Sequence, residues 1–576
     1  MSRVPPPTST TSPPLRLWPG LIAVAIQWAG RFVVPQFFPQ ALAAGVLGGL
    51  ALGLVIALWW LLFSRAPAAE RVGAFGLTVA AVAATFQGIH PSIAKGMMGM
   101  MYWIYVIPVV SLAFVAWAVA SRRLRAGGAS TGIRLAVLGL FMVLACGSLA
   151  VLKTEGMTSD ADSEFAWRWS PDRAQALADE GDIAPAGAGN VGDLGARWSG
   201  FRGDGRDGVV RGTGFRTDWD TSPPVELWRR EVGPGWSSFA VAGDVFYTQE
   251  QRGDDEVVSC HRLDTGEPVW RHRDAAKFWE SNAGAGPRST PTVADGRVYT
   301  FGATGVLNAL DAADGSRIWT RDVATDAGRE VPYFGFSSSP LLVDDLVLVA
   351  AEGQLVAYDR ASGEPRWFGE DGKYGYSSPH ALTLGGVRQI VLMNGIGATA
   401  VSPDDGRPLW SHPLPSNSAR IVQPAQLGGG EFLFSDGEGK GLRRVAVAAS
   451  AEGWGTEERW ESIRLKPYLS DFVVHGGHAY GFDGSLMASI DVETGERNWK
   501  GGRYGSGQLL LLADQDLLLV VSEKGRLILV SAKPDGFEAV AEHPAIDGKT
   551  WNHPALVDDI LLVRNGEEMA AFRLPS

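Results

Sequence analysis

Residues 262–270 read Arg262-Leu-Asp-Thr-Gly266-Glu-Pro-Val-Trp270, and four later stretches share the plan. They are Asp311-Ala-Ala-Asp-Gly315-Ser-Arg-Ile-Trp319, Asp359-Arg-Ala-Ser-Gly363-Glu-Pro-Arg-Trp367, Ser402-Pro-Asp-Asp-Gly406-Arg-Pro-Leu-Trp410 and Asp491-Val-Glu-Thr-Gly495-Glu-Arg-Asn-Trp499. In each, Gly stands four residues before Trp. Trp228 and Trp460 extend the series, so successive tryptophans lie 42, 49, 48, 43, 50 and 39 residues apart. A fixed period of this size marks a repeat architecture.

Each unit has a physical reading. The Asp/Thr/Gly cluster is a tight hairpin turn, in which Gly supplies positive φ and Asp bonds its own backbone. The Trp falls on the next strand, where its ring packs between neighbouring sheets and its N–H finds a partner. Upstream of the turns lie alternating strands with hairpins of their own, such as Pro291 to Thr300 and Pro340 to Val349. Two hairpins per unit make four short strands, one blade of a β-propeller. Inner-strand openings near Ser237, Arg288, Ser337, Ser377, Val422, Ser470, Gln508 and His553 give eight blades. The last shows three strands, and the segment 225–232 supplies the fourth and closes the ring.

The rest of the 576-residue chain is of another kind. Before Lys153 there are ten Lys/Arg and a single acid, Glu70, although the whole chain carries a net charge of −12. A basic apolar first quarter on an acidic remainder reads as a membrane module carrying an outside domain. Five apolar runs reach spanning length, at about 17–39, 41–63, 72–93, 101–120 and 133–152. Alternate loops are basic: Arg3 and Arg16, then Arg65 and Arg71, then Arg122, Arg123, Arg125 and Arg134. That pattern places the N-terminus in the cytoplasm and everything after Lys153 outside it. The expected organisation is a helix bundle over 1–152, a linker with a short helix over 153–197, and the propeller over 198–576. In the linker, Ser170-Pro-Asp through Glu180-Gly181 reads as that helix, with Ser170 as its cap.

Arg31 and His90 are the titratable groups of interest in the spans, read as a snorkelling arginine and a loop histidine. Trp18, Trp59, Trp60 and Trp103 fall near span ends, where aromatic belts belong. Two cysteines, Cys146 and Cys260, make no disulfide framework and read as buried small residues. The acidic propeller lacks the clustered cations that nucleic acid demands.

The Asp-x-x-Thr/Ser-Gly-x-x-x-Trp units resemble the tryptophan-docking repeats of the pyrroloquinoline quinone (PQQ) dehydrogenase-like propellers, over about 200–575. Phe201-Arg-Gly-Asp-Gly-Arg-Asp-Gly208, Lys500-Gly-Gly-Arg-Tyr-Gly-Ser-Gly507 and Gly548-Lys-Thr-Trp-Asn-His-Pro-Ala555 are similar to a bacterial branch of PQQ-binding-like repeat proteins. That superfamily contains quinoproteins and also a non-enzymatic lipoprotein of the outer-membrane barrel-assembly machinery, so the resemblance implies the fold and leaves two functions open. Five spans before an outward propeller are also similar in plan to membrane-bound glucose dehydrogenase. Against the enzymes stand near-minimal blades and the absence of adjacent cysteines and of a Cys-x-x-Cys-His haem motif.

Function in a propeller sits on a rim of the central channel. If a planar acidic cofactor binds there, Arg288, Arg420, Arg503 and Lys549 are its carboxylate partners, and Trp236 or Trp551 stacks on its face. Glu280 with Asn282 is the best local pair for calcium, and His553 or Glu280 the first choice of base. Asn552 completes this ligand-binding set. No metal centre and no catalytic constellation is complete in the sequence, and no cofactor is assigned beyond PQQ with calcium as the one the resemblance implies. The first expectation is a platform anchored in the inner (cytoplasmic) membrane, its propeller on the periplasmic side, with the membrane and a protein as partners and no nucleic acid. The alternative is a PQQ-dependent dehydrogenase oxidising a sugar or alcohol and passing electrons to membrane quinone.

Overall fold

The computed structural model describes residues 15–38, 41–158, 163–178, 195–415, 418–451 and 453–576. The chain divides into two compact units, Met1–Ser170 with Glu280–Ala283, and Pro171–Trp279 with Gly284–Ser576.

Among the described residues of the first unit five helices are long and apolar enough to cross a membrane: Trp18–Phe37, Ala44–Phe63, Ala68–Gly88, Met101–Ala126 and Thr131–Ala150. The fourth runs through the arginines expected in the loop after it. The fifth begins where the Ser130 hydroxyl accepts the Ile133 N–H, an N-cap. Glu70, the lone acid, is fully buried and accepts from Arg125 at 2.6 Å, Arg134 at 2.8 Å and Ser121 at 3.0 Å. One carboxylate thus ties the start of the third helix to the end of the fourth and the start of the fifth.

Two sequence readings change in this unit, those of Arg31 and of Trp59 with Trp60. Arg31 does not snorkel: it is buried in a π-turn, Ala29–Val33, and donates to the Tyr105 hydroxyl at 3.4 Å. His90 lies in the loop before Pro91, as read, and there it caps the short helix Pro91–Lys95, its Nδ1 accepting from the Ser92 N–H. Trp59 and Trp60 are core residues, with the Trp60 ring packed edge-on against Phe114 and Trp117. The stretch after the fifth helix also folds as a hairpin, Leu152–Met157 with Ser163–Trp167.

In the second unit eight sheets each contribute four consecutive antiparallel strands, with Val225–Glu231 completing the last. The first strands of neighbouring blades lie against one another and line the axis. The docking device is uniform. Trp228, Trp270, Trp319, Trp367 and Trp460 each cover the turn glycine of the following blade, Gly266, Gly315, Gly363, Gly406 and Gly495. Each of these indoles donates to a carbonyl in the same turn region, for example Trp270 to Ala312 at 3.1 Å and Trp367 to Pro403 at 2.8 Å. Trp410 departs from the rule. Its next blade has the long strand pair Leu442–Ser450 and Gly453–Ser462 in place of the Asp-x-x-Thr-Gly turn, and its N–H bonds Gln389 in its own blade.

Ring closure adds a buried cation. Arg564 in the last blade donates to Thr248 at 2.5 Å and to the Gln249 carbonyl at 2.8 Å on the first blade's strand Val245–Arg252, and to the Gly233 carbonyl at 3.1 Å in the connection before it. The expected helix after Ser170 is a single turn, Arg173–Ala176, capped by Asp172, whose shorter reach to the Ala174 N–H wins over Ser170. The end expected for it, Glu180-Gly181, lies outside the described residues, as do Arg3 and residues 159–162 and 179–194 of the expected linker.

Candidate functional site: the central channel and its rim

Each inner strand begins at one face of the ring, the leading face, and ends at the other. Residues 196–210 thread between these inner strands. Ala196–Trp198 pairs antiparallel with the first blade's inner strand, so it runs from the trailing to the leading face. Val209–Val210 pairs parallel with Gln508–Leu512 of the seventh blade and runs back again. Between them the turn 199–208 meets the openings of several blades. The Ser199 carbonyl accepts from Val293 at 2.8 Å, Arg206 donates to the Ser339 and Pro340 carbonyls at 2.8 and 3.0 Å, and Arg202 donates to the Phe472 carbonyl at 2.9 Å. The chain's own hairpin therefore occupies the axis.

The turn is forced tight. Gly200 is positive in φ, and a Cβ there would stand 2.6 Å from the Pro291 carbonyl. Arg202 and Arg206 also take positive φ, 59° and 53°. This costs about 1–2 kcal/mol per residue for a side chain with a Cβ, and the backbone carbonyls that both arginines reach offset it.

Around this tip lie His380, Gln423, Asp471 and His553. His380 Nε2 meets Gln423 Oε1 at 3.0 Å, and the Gln423 N–H donates to Asp471 at 2.7 Å. Asp471 stands 3.7 Å from Arg202 and 3.4 Å from His553 Nε2, and the Phe201 ring packs edge-on against the His553 imidazole. Burial first, and the nearby Arg206 and Arg202 second, push His380 down to about 3. Burial likewise takes His553 down to about 4 against the opposing pull of Asp471. Arg206 is itself pushed down to about 9 by burial.

The residues expected from sequence sort into groups. Trp236, Lys549 and Trp551 come together on the leading face: the indoles are 5.0 Å apart, with the ammonium 5.5 and 5.0 Å from the two ring centres. That geometry is a cation–π cluster. Trp551 Nε1 donates to Glu523 at 2.9 Å. Asn552 is buried and holds the loop beside Trp236, donating to the Gly235 and Ser237 carbonyls at 3.2 and 2.7 Å. His553 faces the channel, as above.

The other cations are engaged elsewhere. Arg420 is buried and bonds the Ser418 carbonyl and Asp436. Arg503 donates to Ser485 at 2.7 Å. Arg288 lies 5.0 Å from the Phe278 ring centre and donates to the Gly284 and Ala285 carbonyls. Glu280 and Asn282 belong to the first unit, where the Glu280 carboxylate accepts the Asn282 and Ala283 N–H groups at 2.7 and 2.6 Å. Among the described residues no three His, Cys, Asp or Glu gather as a metal would require. As a set these residues do not fit a calcium-held planar tricarboxylate.

Sequence reasoning missed Arg202 and Arg206. The signal was present in Phe201–Gly208, where two arginines sit among three glycines, a combination that lets cations follow a backbone too tight for side chains.

A family model described as outer membrane protein assembly factor BamB matches residues 216–367 and 254–501. The chain is 24% identical to the BamB of Yersinia pestis, across 60% of this chain and 77% of that protein. It is 25% identical to the quinohemoprotein alcohol dehydrogenase ADH-IIG of Pseudomonas putida, across 44% of this chain and 38% of the enzyme. The solved BamB of Moraxella catarrhalis aligns at a TM-score of 0.46 and 14% identity, covering 61% of this chain and 98% of that one. With its docked tryptophans and eight blades, the chain carries a PQQ-like repeat propeller, the type matched in both the assembly factor and the quinohemoprotein dehydrogenases.

Proposed function

We propose that the protein is an assembly or binding platform: a propeller held at the outer side of the inner membrane by five spans, which engages a protein partner with its leading face. The observation that carries this reading is the filled axis. A planar cofactor needs an open axis ringed by converging cations, and here the 196–210 hairpin occupies it while Arg420 and Arg503 bond elsewhere. The leading-face loops also expose the apolar side chains of Tyr333, Phe334 and Leu469 and carry the half-buried Trp236 and Trp551. Exposed aromatic residues of this kind are the usual anchors of protein interfaces. The BamB relatives support a protein partner; the location and the span topology rest on the loop charges.

The dehydrogenase relatives support the alternative, in which the paired indoles under Lys549 are the surface a flat cofactor would use. One experiment separates the two. The detergent-purified protein is titrated with PQQ and calcium by calorimetry, then offered a sugar and alcohol panel with an artificial electron acceptor. In parallel a photo-crosslinker is placed at Tyr333 or, on the trailing face, at Ala361. No cofactor binding, with one discrete adduct from Tyr333 and none from Ala361, is the expected result. Saturable PQQ binding with dye reduction overturns the platform reading.

A further inference from the structure

The hairpin carries two guanidinium groups into the ring axis, and the charges there do not balance. Arg202 is 3% exposed and Arg206 is 8% exposed. Asp471 is the carboxylate within ion-pair distance of Arg202, and it also serves the Gln423 N–H and His553. Among the described residues Arg206 has no carboxylate at ion-pair distance; its bonds go to two backbone carbonyls, and its guanidinium lies 5.7 Å from the Phe201 ring centre. Carbonyl dipoles and an aromatic face compensate a buried cation only in part.

Donors are in excess too. The Nε groups of Arg202 and Arg206 are buried without a hydrogen-bond partner. Buried polar groups in folded proteins are nearly always satisfied, so two orphaned guanidinium donors on one turn point to a missing acceptor. His380 and His553 at the tip each keep part of their surface free, 13% for the His553 side chain. A water would satisfy donors there and leave the charge uncompensated. An anion does both.

We infer that the channel binds a small oxyanion, a carboxylate or a phosphate, between Arg202 and Arg206 at the tip of the 199–208 turn, beside His380 and His553. The two arginines supply both the charge and the hydrogen bonds; the imidazoles of His380 and His553, whose Nε2–H groups already face Gln423 and Asp471, border the site without donating to the ligand. Asp471 opposes the ligand and sets its affinity, since a like charge beside the site weakens anion binding. The site is separate from the aromatic cluster on the leading face, so it stands whichever partner that face holds.

The test uses the full-length protein in detergent at low ionic strength, with radiolabelled phosphate and citrate as alternative probes in equilibrium dialysis. Saturable binding at one site per chain is expected, and the stronger probe identifies the anion class. Arg206→Gln weakens it by about tenfold or more, the effect of losing one charged hydrogen-bonding partner, while Arg407→Gln on the exposed trailing face changes nothing. Asp471→Asn keeps an acceptor for Gln423, removes the opposing charge and tightens binding several-fold. If Arg206→Gln does not fold, Asp471→Asn decides: tighter binding supports the site, and unchanged or weaker binding overturns it. Absence of saturable binding of either probe below about 10 mM, a range that includes weak millimolar sites, also overturns it, as does unaltered affinity in a folded Arg206→Gln.

Discussion

Trp270 sits where a side chain on Gly315 would have to be: a Cβ built there falls 2.4 Å from the indole ring, and the same indole donates to the Ala312 carbonyl three residues earlier. Blade-to-blade docking therefore depends on an absence at one position and a large ring at another. Gly315 has φ of 73°, so alanine is penalised by conformation as well as by overlap. Gly315→Ala lowers propeller stability by about 2–4 kcal/mol, read from the urea midpoint. Trp270→Phe keeps most of the ring and loses the hydrogen bond, for about 1 kcal/mol.

Ring closure should be the most sensitive interface. Arg564 is among the largest fully buried side chains, and its bonds run from the last blade to the first. Arg564→Leu leaves those carbonyls unsatisfied and Glu250 with Arg252 alone. A loss of about 3–5 kcal/mol follows, with earlier proteolytic cleavage near the two ends of the propeller than in its middle blades.

Acid sensitivity follows from the buried imidazoles. His553 and His261 are held down to about 4 and His380 to about 3, each chiefly by burial. An unfolded histidine takes up its proton near 6.5, so below that pH the unfolded chain binds protons that the native state refuses. Stability is complete above about pH 6.5 and falls as pH drops toward 4, by up to about 1.4 kcal/mol per unit for each group. His553→Gln flattens that slope in melts run from pH 7 to 4; an unchanged slope contradicts the assignment.

Glu70 clamps three helix ends through Arg125 and Arg134. Glu70→Gln leaves two arginines facing each other in a buried site, which costs about 3 kcal/mol or more. The loss appears in detergent-denaturant titrations of the membrane unit, while the propeller's near-ultraviolet signal is retained.

Topology is open to labelling, because Cys146 and Cys260 are both buried. With the N-terminus inside, an impermeant maleimide on spheroplasts labels Ala361→Cys and reaches Ala126→Cys only after permeabilisation. The reverse order refutes the orientation read from the loop arginines.

Much of this architecture is local and was legible. A Gly four residues before a Trp specifies a turn and a docking ring, and an apolar run of about 20 residues specifies a span. The rim was legible only in part. Trp236, Lys549 and Trp551 meet because the ring closes between them, yet Arg420, in an equivalent blade opening, turns away to Asp436. Side chains at equivalent repeat positions share a backbone site; their partners come from loops that do not repeat. Glu70 stood out as the single acid before Lys153, but nothing in its neighbourhood named Arg134, 64 residues away.

By itself, then, the sequence determined the repeat, the eight blades and the five apolar helices, since periodicity and hydropathy act over a few residues at a time. What fills the axis was decided only in three dimensions. Residues 196–210 have no repeat and little apolar pattern, and they order because the first and seventh blades offer them unpaired inner strand edges. The blades must exist before those edges do, which is why Arg202 and Arg206 find their places only in the closed ring.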